Sequence, residues 1–432
     1  MPKDDFFRAP SWSQLGDWRA ELAPHYATAR RMLGAAANPT VTPADRVLRS
    51  IARDLDKEKD FHATDVGVFF GEPGVEVPDP FFGGEGPPRV GCNHCGGCMT
   101  GCRVGAKNTL DRNYLYLAEK KGVRVLAETE VVEVRSLGEG KGYGIEVRHT
   151  FDEHDPRSFT ADRVVLAGGV MGTLPLLLRM REEGALPRLS ERVGQDVRTN
   201  NEALIGVIVP RGGEDLSTGI AITSILETDA HSHVEPVRYG GGSGFFRTLA
   251  LPHAPGPTAL RRLGGAIAGM AREPGRWARA LTVPDFARHT QILLYMRTLE
   301  STLTFRLGRS PYTGFARGLV SELPEGATAP TAFMEEATDL AHRYAEKTGG
   351  VAMTLLTETL MGTPSTAHIL GGACMGVGPG QGVIDARHQV HGHPGLYVID
   401  GSAISANPGV NPSLTITALA ERAMSLVPAR SA

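Results

Sequence analysis

Four of the five cysteines stand within eleven residues, as Cys92-x2-Cys95-x2-Cys98-x3-Cys102. Thiolates at this spacing can gather around a [4Fe-4S] cube, as in bacterial iron–sulfur loops, although no proline follows Cys102 and a fourth cysteine can serve a second cluster. Reduced structural thiols, a zinc ion or a disulfide are the other readings, and zinc favours two cysteine pairs set farther apart. Three more positions could move protons or hold charge. His368 opens the run His-Ile-Leu-Gly-Gly. It can take a proton from a hydroxyl, or it can close a turn by bonding backbone. Glu235 is a base if buried, and half of a surface ion pair if Arg238 reaches it. Asn411 precedes Pro412 in Gly-Val-Asn-Pro, ahead of a helix whose N-terminus offers free N–H groups and positive partial charge. Asn411 could face a ligand there, cap the helix with Pro412 in its first turn, or both.

The elements that position these groups follow from periodicity. Residues 18–33 read as an amphipathic helix capped by Asp17, and 43–60 as a second helix opened by Thr42-Pro43. A Gly/Pro-rich stretch from Gly71 to Arg89 leads into the cysteines. Residues 109–121 read as a helix, and 123–127, 131–135 and 144–148 as short strands. Asp162-Arg-Val-Val-Leu-Ala-Gly168-Gly169 is an apolar strand running into glycines, followed by a helix over 174–181. A buried strand that ends in Gly-Gly before a helix is a nucleotide-facing crossover. Alternating runs at 204–209 and 290–296 point to a separate antiparallel sheet. Residues 253–285 suggest a helical insertion able to lid a pocket, and 331–347 a helix entered through Pro330. Leu396-Tyr-Val-Ile is a strand that ends at the turn Asp400-Gly401.

With 432 residues, 41% hydrophobic and 22% charged, the chain can bury large cores in two or three domains. A net charge of -3 gives nucleic acid no footing as a partner. No apolar run approaches the roughly 18 residues of a membrane-spanning helix, and the N-terminus lacks a signal-peptide pattern, so a cytoplasmic address is expected.

Together, Gly101-Cys-Arg-Val-Gly-Ala-Lys-Asn-Thr109, residues 162–178, His233-Val-Glu-Pro-Val-Arg238, His368-Ile-Leu-Gly-Gly and Gly409-Val-Asn-Pro-Ser-Leu-Thr resemble the glucose-methanol-choline oxidoreductases, in particular their bacterial cholesterol-oxidase-like branch. The resemblance spans nearly the whole chain. It implies oxidation of an alcohol carbon by hydride transfer to FAD, with a bulky apolar small-molecule alcohol, steroid-like or other, as substrate and an electron acceptor left open. It gives His368 the hydroxyl proton, Asn411 the polarised oxygen or flavin, and Glu235 the base of steroid double-bond isomerisation. It places Val131 against adenine. Gly168, Gly169, Asp400, Gly401, Asn411 and Pro412 then lie along the flavin. A non-catalytic iron–sulfur electron-transfer or assembly subunit is the rival reading, and an inactive fragment the third.

The expected architecture is α+β: a partial FAD/NAD(P)-binding Rossmann-like layer plus a substrate domain with an antiparallel sheet. The expected segments are 1–90 (helical and linker), 91–201 (flavin-binding, with the cysteines), 202–365 (substrate-binding) and 366–432 (returning to the flavin layer). No strand–G-x-G-x-x-G–helix unit is present; the glycine clusters at 240–244 and 378–382 lack that context. The missing pyrophosphate loop is expected to lie upstream of Met1, or else in a partner chain. Its absence should leave apolar sheet faces uncovered and FAD weakly held.

Overall fold

The computed structural model describes residues 1–210 and 213–428. Helix α1 (Trp18–Met32) starts at Asp17, whose carboxylate accepts the Ala20 N–H. Helix α2 (Pro43–Asp54) opens with a capping box between Thr42 and Asp45, with Pro43 in its first turn. Strand β1 (Phe61–Ala63) follows. Strands β2 (Thr129–Ser136), β3 (Tyr143–His149) and β4 (Asp152–Ala161) form an antiparallel meander. Next come β5 (Val164–Leu166) and α3 (Gly169–Glu182). The antiparallel part contains β6 (Ala203–Ile208), β7 (Ser224–Glu227), β8 (Ser232–Val237) and β9 (Ala250–Pro252). Helices α4 (Ala259–Arg272) and α5 (Pro274–Leu281) form the expected helical insertion. Then come β10 (Thr290–Arg297), β11 (Thr302–Gly308), β12 (Gly318–Glu322), α6 (Glu335–Thr348) and β13 (Val351–Leu355). The chain closes with β14 (Leu396–Val398) and α7 (Ser413–Leu426).

Two layers result. A seven-stranded sheet runs in the order β9-β13-β6-β10-β8-β7-β1. Side chains alternate across a strand, so each of its central strands serves two faces. Ala203, Ile205, Val207, Val234, Leu293 and Tyr295 pack with Leu48, Ile51, Leu340 and Tyr344 of α2 and α6 into one core. The opposite face carries Leu204, Ile292, Leu294, Met296 and Val237. The second layer is built around the parallel pair β5–β14, in register Leu396 to Val164, and the helices α1, α3 and α7. Tyr26 of α1 donates to Thr415 of α7 at 3.0 Å, which closes the N-terminal helix onto the C-terminal one. The fold is therefore α+β, and its N-terminal 66 residues divide between the layers, since β1 joins the large sheet.

Several local expectations shift. Residues 123–127 are not a strand: no neighbouring edge pairs with them among the described residues, and Val123, Val125 and Leu126 are exposed. The helix expected over 109–121 breaks at Asn113, which leaves helical dihedrals and accepts the Tyr114 N–H at 2.5 Å; only Tyr114–Lys120 is helical. Helix α2 ends at Asp54, six residues early, and α3 starts five residues early at Gly169, whose φ of +68° suits glycine. Helix α6 starts at Glu335, because the stretch after Pro330 goes into a Thr331–Phe333 turn and a bond from Ala332 to Gly362.

Candidate active site

Strand register brings the proton-handling residues onto one face. Leu204 of β6 pairs with Leu294 of β10, which pairs with Glu235 of β8. One step along, His233 pairs with Met296, and the same register continued puts Glu202 on Met296's other side. Directly opposed residues share a face, as do residues two apart. Glu202, Glu235 and His233 therefore share the face of Leu204, Ile292, Leu294 and Met296. Glu202 and His233 stand two strand spacings apart, about 10 Å. The two carboxylates and His233 are each 1% exposed, so this apolar face holds buried polar groups that must be partnered.

The C-terminal segment supplies the partners. Glu202 accepts from the Thr366 hydroxyl, from the Ala367 N–H at 3.2 Å and from His368 Nδ1 at 2.7 Å. A carboxylate can only accept, so Nδ1 carries the proton and Nε2 is the basic nitrogen of the His368 ring. The Asn411 side-chain nitrogen donates to both carboxylate oxygens of Glu235, at 3.0 and 2.9 Å, and Glu235 lies 3.2 Å from His233 Nε2. Asn200, two residues before Glu202, donates to the Val410 carbonyl at 2.7 Å and so fixes the backbone beside Asn411. His368 and Asn411 are thus brought to neighbouring places by residues 200, 202 and 235.

Two expectations change here. Glu235 is not paired with Arg238, whose guanidinium instead bonds Thr42, Thr218 and Thr223 from the sheet's other side. Arg238 lies one residue past β8 and three from Glu235, an odd step that turns it to the opposite face. Asn411 does not cap α7 either. The helix begins at Ser413 behind Pro412, and the Asn411 amide is committed to Glu235. The positive end of α7 still opens beside Asn411.

Sequence reasoning missed Glu202, His233 and Asn200. The available signal was an acidic residue heading the apolar run Ala203–Ile208, where only a buried role makes sense for a charge.

The second layer holds the remaining expected residues. Asp400 follows β14. Its Oδ2 accepts from Gly169 N at 2.9 Å and Thr173 Oγ1 at 2.6 Å, and its Oδ1 from Ser402 N at 2.8 Å. That carboxylate takes up one backbone N–H of the first turn of α3, at Gly169. The Gly371 N–H donates to the Gly401 carbonyl at 3.0 Å. Beside them the surface is open. A Cβ at Gly169 or Gly172 would meet no atom within 4 Å, whereas one at Gly168 would touch Thr173. Met171, Val165 and Val131 are 57%, 42% and 38% exposed. This apolar ground next to a strand–glycine–helix turn fits the adenosine side of a dinucleotide, and the charged pairs at His368 and Asn411 fit the end where hydride and proton move.

Cys92, Cys95, Cys98 and Cys102 are all free thiols and together line one small cavity. Among the described residues, no three His, Cys, Asp or Glu side chains are gathered as a single metal ion requires. Cys374 is buried and lies 3.7 Å from Arg198. No helix is long and apolar enough to cross a membrane among the described residues.

Comparison with known proteins completes the assignment. The chain is 43% identical to the cholesterol oxidase of Mycobacterium tuberculosis, across 99% of this chain and 75% of that one. It is 38% identical to the cholesterol oxidase of Acinetobacter baumannii, across 100% of this chain and 78% of that one. The crystal structure of pyridoxine 4-oxidase from Mesorbium loti shares the fold, with a TM-score of 0.51 at 15% identity over 90% of this chain and 70% of that one. Residues 89–192 and 320–420 match the N-terminal and C-terminal patterns of the GMC oxidoreductases. With the cysteine-loop and strand–glycine–helix region inside the first match and His368 and Asn411 inside the second, the chain belongs to the GMC oxidoreductase family and is an oxidoreductase, for which that family implies FAD.

Proposed function

We propose that the chain oxidises the hydroxyl-bearing carbon of a bulky, apolar alcohol, a steroid in the first instance, to a ketone or aldehyde. The observation that carries this reading is the pairing of proton-handling side chains with an apolar sheet face. Bound FAD would accept the hydride. His368 Nε2 would take the hydroxyl proton, and the buried Glu202 carboxylate would steady the imidazolium that forms. Asn411, whose side-chain nitrogen holds Glu235, would turn its oxygen toward the reacting end. Leu204, Ile292, Leu294 and Met296 would lie under the apolar rings and exclude water. Glu235, held by Asn411 and beside His233, would carry a proton between ring carbons if a double bond migrates.

The two relatives' names as cholesterol oxidases support the steroid part of this reading. Five free cysteines suit the reducing cytoplasm. The iron–sulfur expectation for Cys92, Cys95, Cys98 and Cys102 is not needed here, and no step of the reaction runs through it.

The test is an anaerobic mixing experiment with FAD-loaded protein. A hydroxysteroid should bleach the flavin, and His368→Ala should slow bleaching by on the order of 10²–10⁴-fold. Equal bleaching rates in both proteins would remove His368 from the chemistry. Failure of every steroid alcohol, with shorter apolar alcohols active, would remove the steroid part alone.

A further inference from the structure

Glu235 has two carboxylate oxygens, and the chain treats them unequally. An ionised carboxylate offers about four lone-pair sites, two on each oxygen. Oε1 accepts from the Asn411 side-chain nitrogen at 3.0 Å and from His233 Nε2 at 3.2 Å, so both of its sites are taken. Oε2 accepts from Asn411 alone among the described residues, at 2.9 Å, and keeps one site open. Because an ionised carboxylate can only accept, Nε2 carries the proton of the His233 contact. The ring has no other polar task. It is 1% exposed, and its Nδ1 is buried without a hydrogen-bond partner among the described residues. A bare buried nitrogen is costly, and an apolar side chain would fill the space without that cost, so the bond from Nε2 is what the imidazole contributes here. The neighbours do not compete for it. Glu227, directly opposite on β7, is bonded by Lys3 and lies 3.6 Å from His62 Nε2. Met296, opposite on β10, has its sulfur 3.4 Å from Asn200 Nδ2.

We infer that His233 is the positioning residue of Glu235: it occupies Oε1 and leaves Oε2 as the oxygen that carries a proton between ring carbons. This rests on the isomerisation part of the function proposed above. Oε2 takes the proton from the carbon between a ketone and a double bond, and the C–H electron pair passes into a dienolate. The same Oε2–H then gives that proton to the far alkene carbon as the dienolate closes to the conjugated ketone, so no further reactant is consumed. Asn411 grips both oxygens from one donor atom. The second bond, from His233 to Oε1, stops the carboxylate from pivoting and exchanging its two oxygens, which holds Oε2 in one place for both transfers.

The test separates isomerisation from oxidation. FAD-loaded protein is given the β,γ-unsaturated ketone derived from cholesterol, and the conjugated ketone is followed by its ultraviolet absorbance. Flavin bleaching by a hydroxysteroid is measured on the same samples. In His233→Leu the isomerisation rate should fall by about 10–100-fold, the worth of one hydrogen bond to a buried charge, and far more than the bleaching rate. His233→Gln keeps a side-chain N–H donor and should recover most of the loss. Equal losses in the two rates for the leucine variant, or a glutamine variant no better than leucine, would overturn the positioning role while leaving isomerisation by Glu235 intact. A parent protein that bleaches its flavin yet forms no conjugated ketone would remove the isomerisation reading, and the role of His233 with it.

Discussion

The two layers of this protein treat their functional residues in opposite ways. On the seven-stranded sheet, Glu202, His233 and Glu235 are 1% exposed, and each of them has a named side-chain partner. In the layer around β5 and β14, the side chain of Asp400 is equally committed, but Val131, Val165 and Met171 are left bare. The first region is a finished polar constellation in an apolar setting. The second is an apolar surface beside a carboxylate already bonded within the chain. Buried charges are costly and must be partnered within the chain, whereas exposed apolar area costs little until a ligand covers it. On the reading proposed above, proton chemistry would be built into the chain and FAD would cover the exposed apolar surface.

The largest test of that contrast removes one charge from the finished region. Glu202→Gln keeps the size of the side chain but takes away the carboxylate that fixes the His368 tautomer and steadies its cation. We expect kcat to fall by on the order of 10²-fold, with the acidic limb of the pH–rate profile displaced. An unchanged kcat would mean that the Glu202–His368 bond is scaffolding only.

Acid stability probes both layers at once. Burial holds His253, beside the large sheet, down to about 4, with His342 adding to the effect. Burial likewise holds His388, behind β14, down to about 4, opposed by its bond to the Val398 carbonyl and helped by Arg422. Both folded values lie below the ordinary 6.5. The unfolded chain therefore binds more protons in between. The stability contribution is whole above about pH 6.5 and erodes as pH falls toward 4, by on the order of 3 kcal/mol per histidine. Urea unfolding across that window measures it. His253→Asn and His388→Asn should each flatten the pH dependence. A flat profile in the parent would show that neither histidine is held neutral.

The smallest expected effect falls on the bare surface. Val165→Asp adds a charge where FAD should lie against apolar ground. We expect FAD to bind about tenfold more weakly, with unfolding of the FAD-free protein changed by no more than about 0.5 kcal/mol because the site is exposed. Titration of FAD fluorescence reads the first and urea unfolding the second. A large loss of stability with unchanged FAD affinity would reverse the assignment of this region.

The sequence made much of this visible, and its failures have physical causes. Caps at Asp17 and Thr42 placed their helices because capping is local. The runs of β6 and β10 were legible as strands because they are short and apolar, although both of their faces are buried. Residues 123–127 looked like a strand and are not one, because a strand needs a partner edge that propensity cannot supply. Glu235 was found, but its partner was misassigned, since closeness in sequence put Arg238 forward and the pleat turned it away.

By itself, then, the sequence determined the residue types able to do the chemistry: His368, Asn411, Glu235 and four cysteines within eleven residues. It also determined the local elements that carry them. Only the tertiary structure decided who meets whom. Glu202 reaches His368 across 166 residues, and Asn411 reaches Glu235 across 176. Those pairings depend on strand register and on the docking of the C-terminal segment, and both are settled by long-range burial rather than by any pattern within a window of sequence.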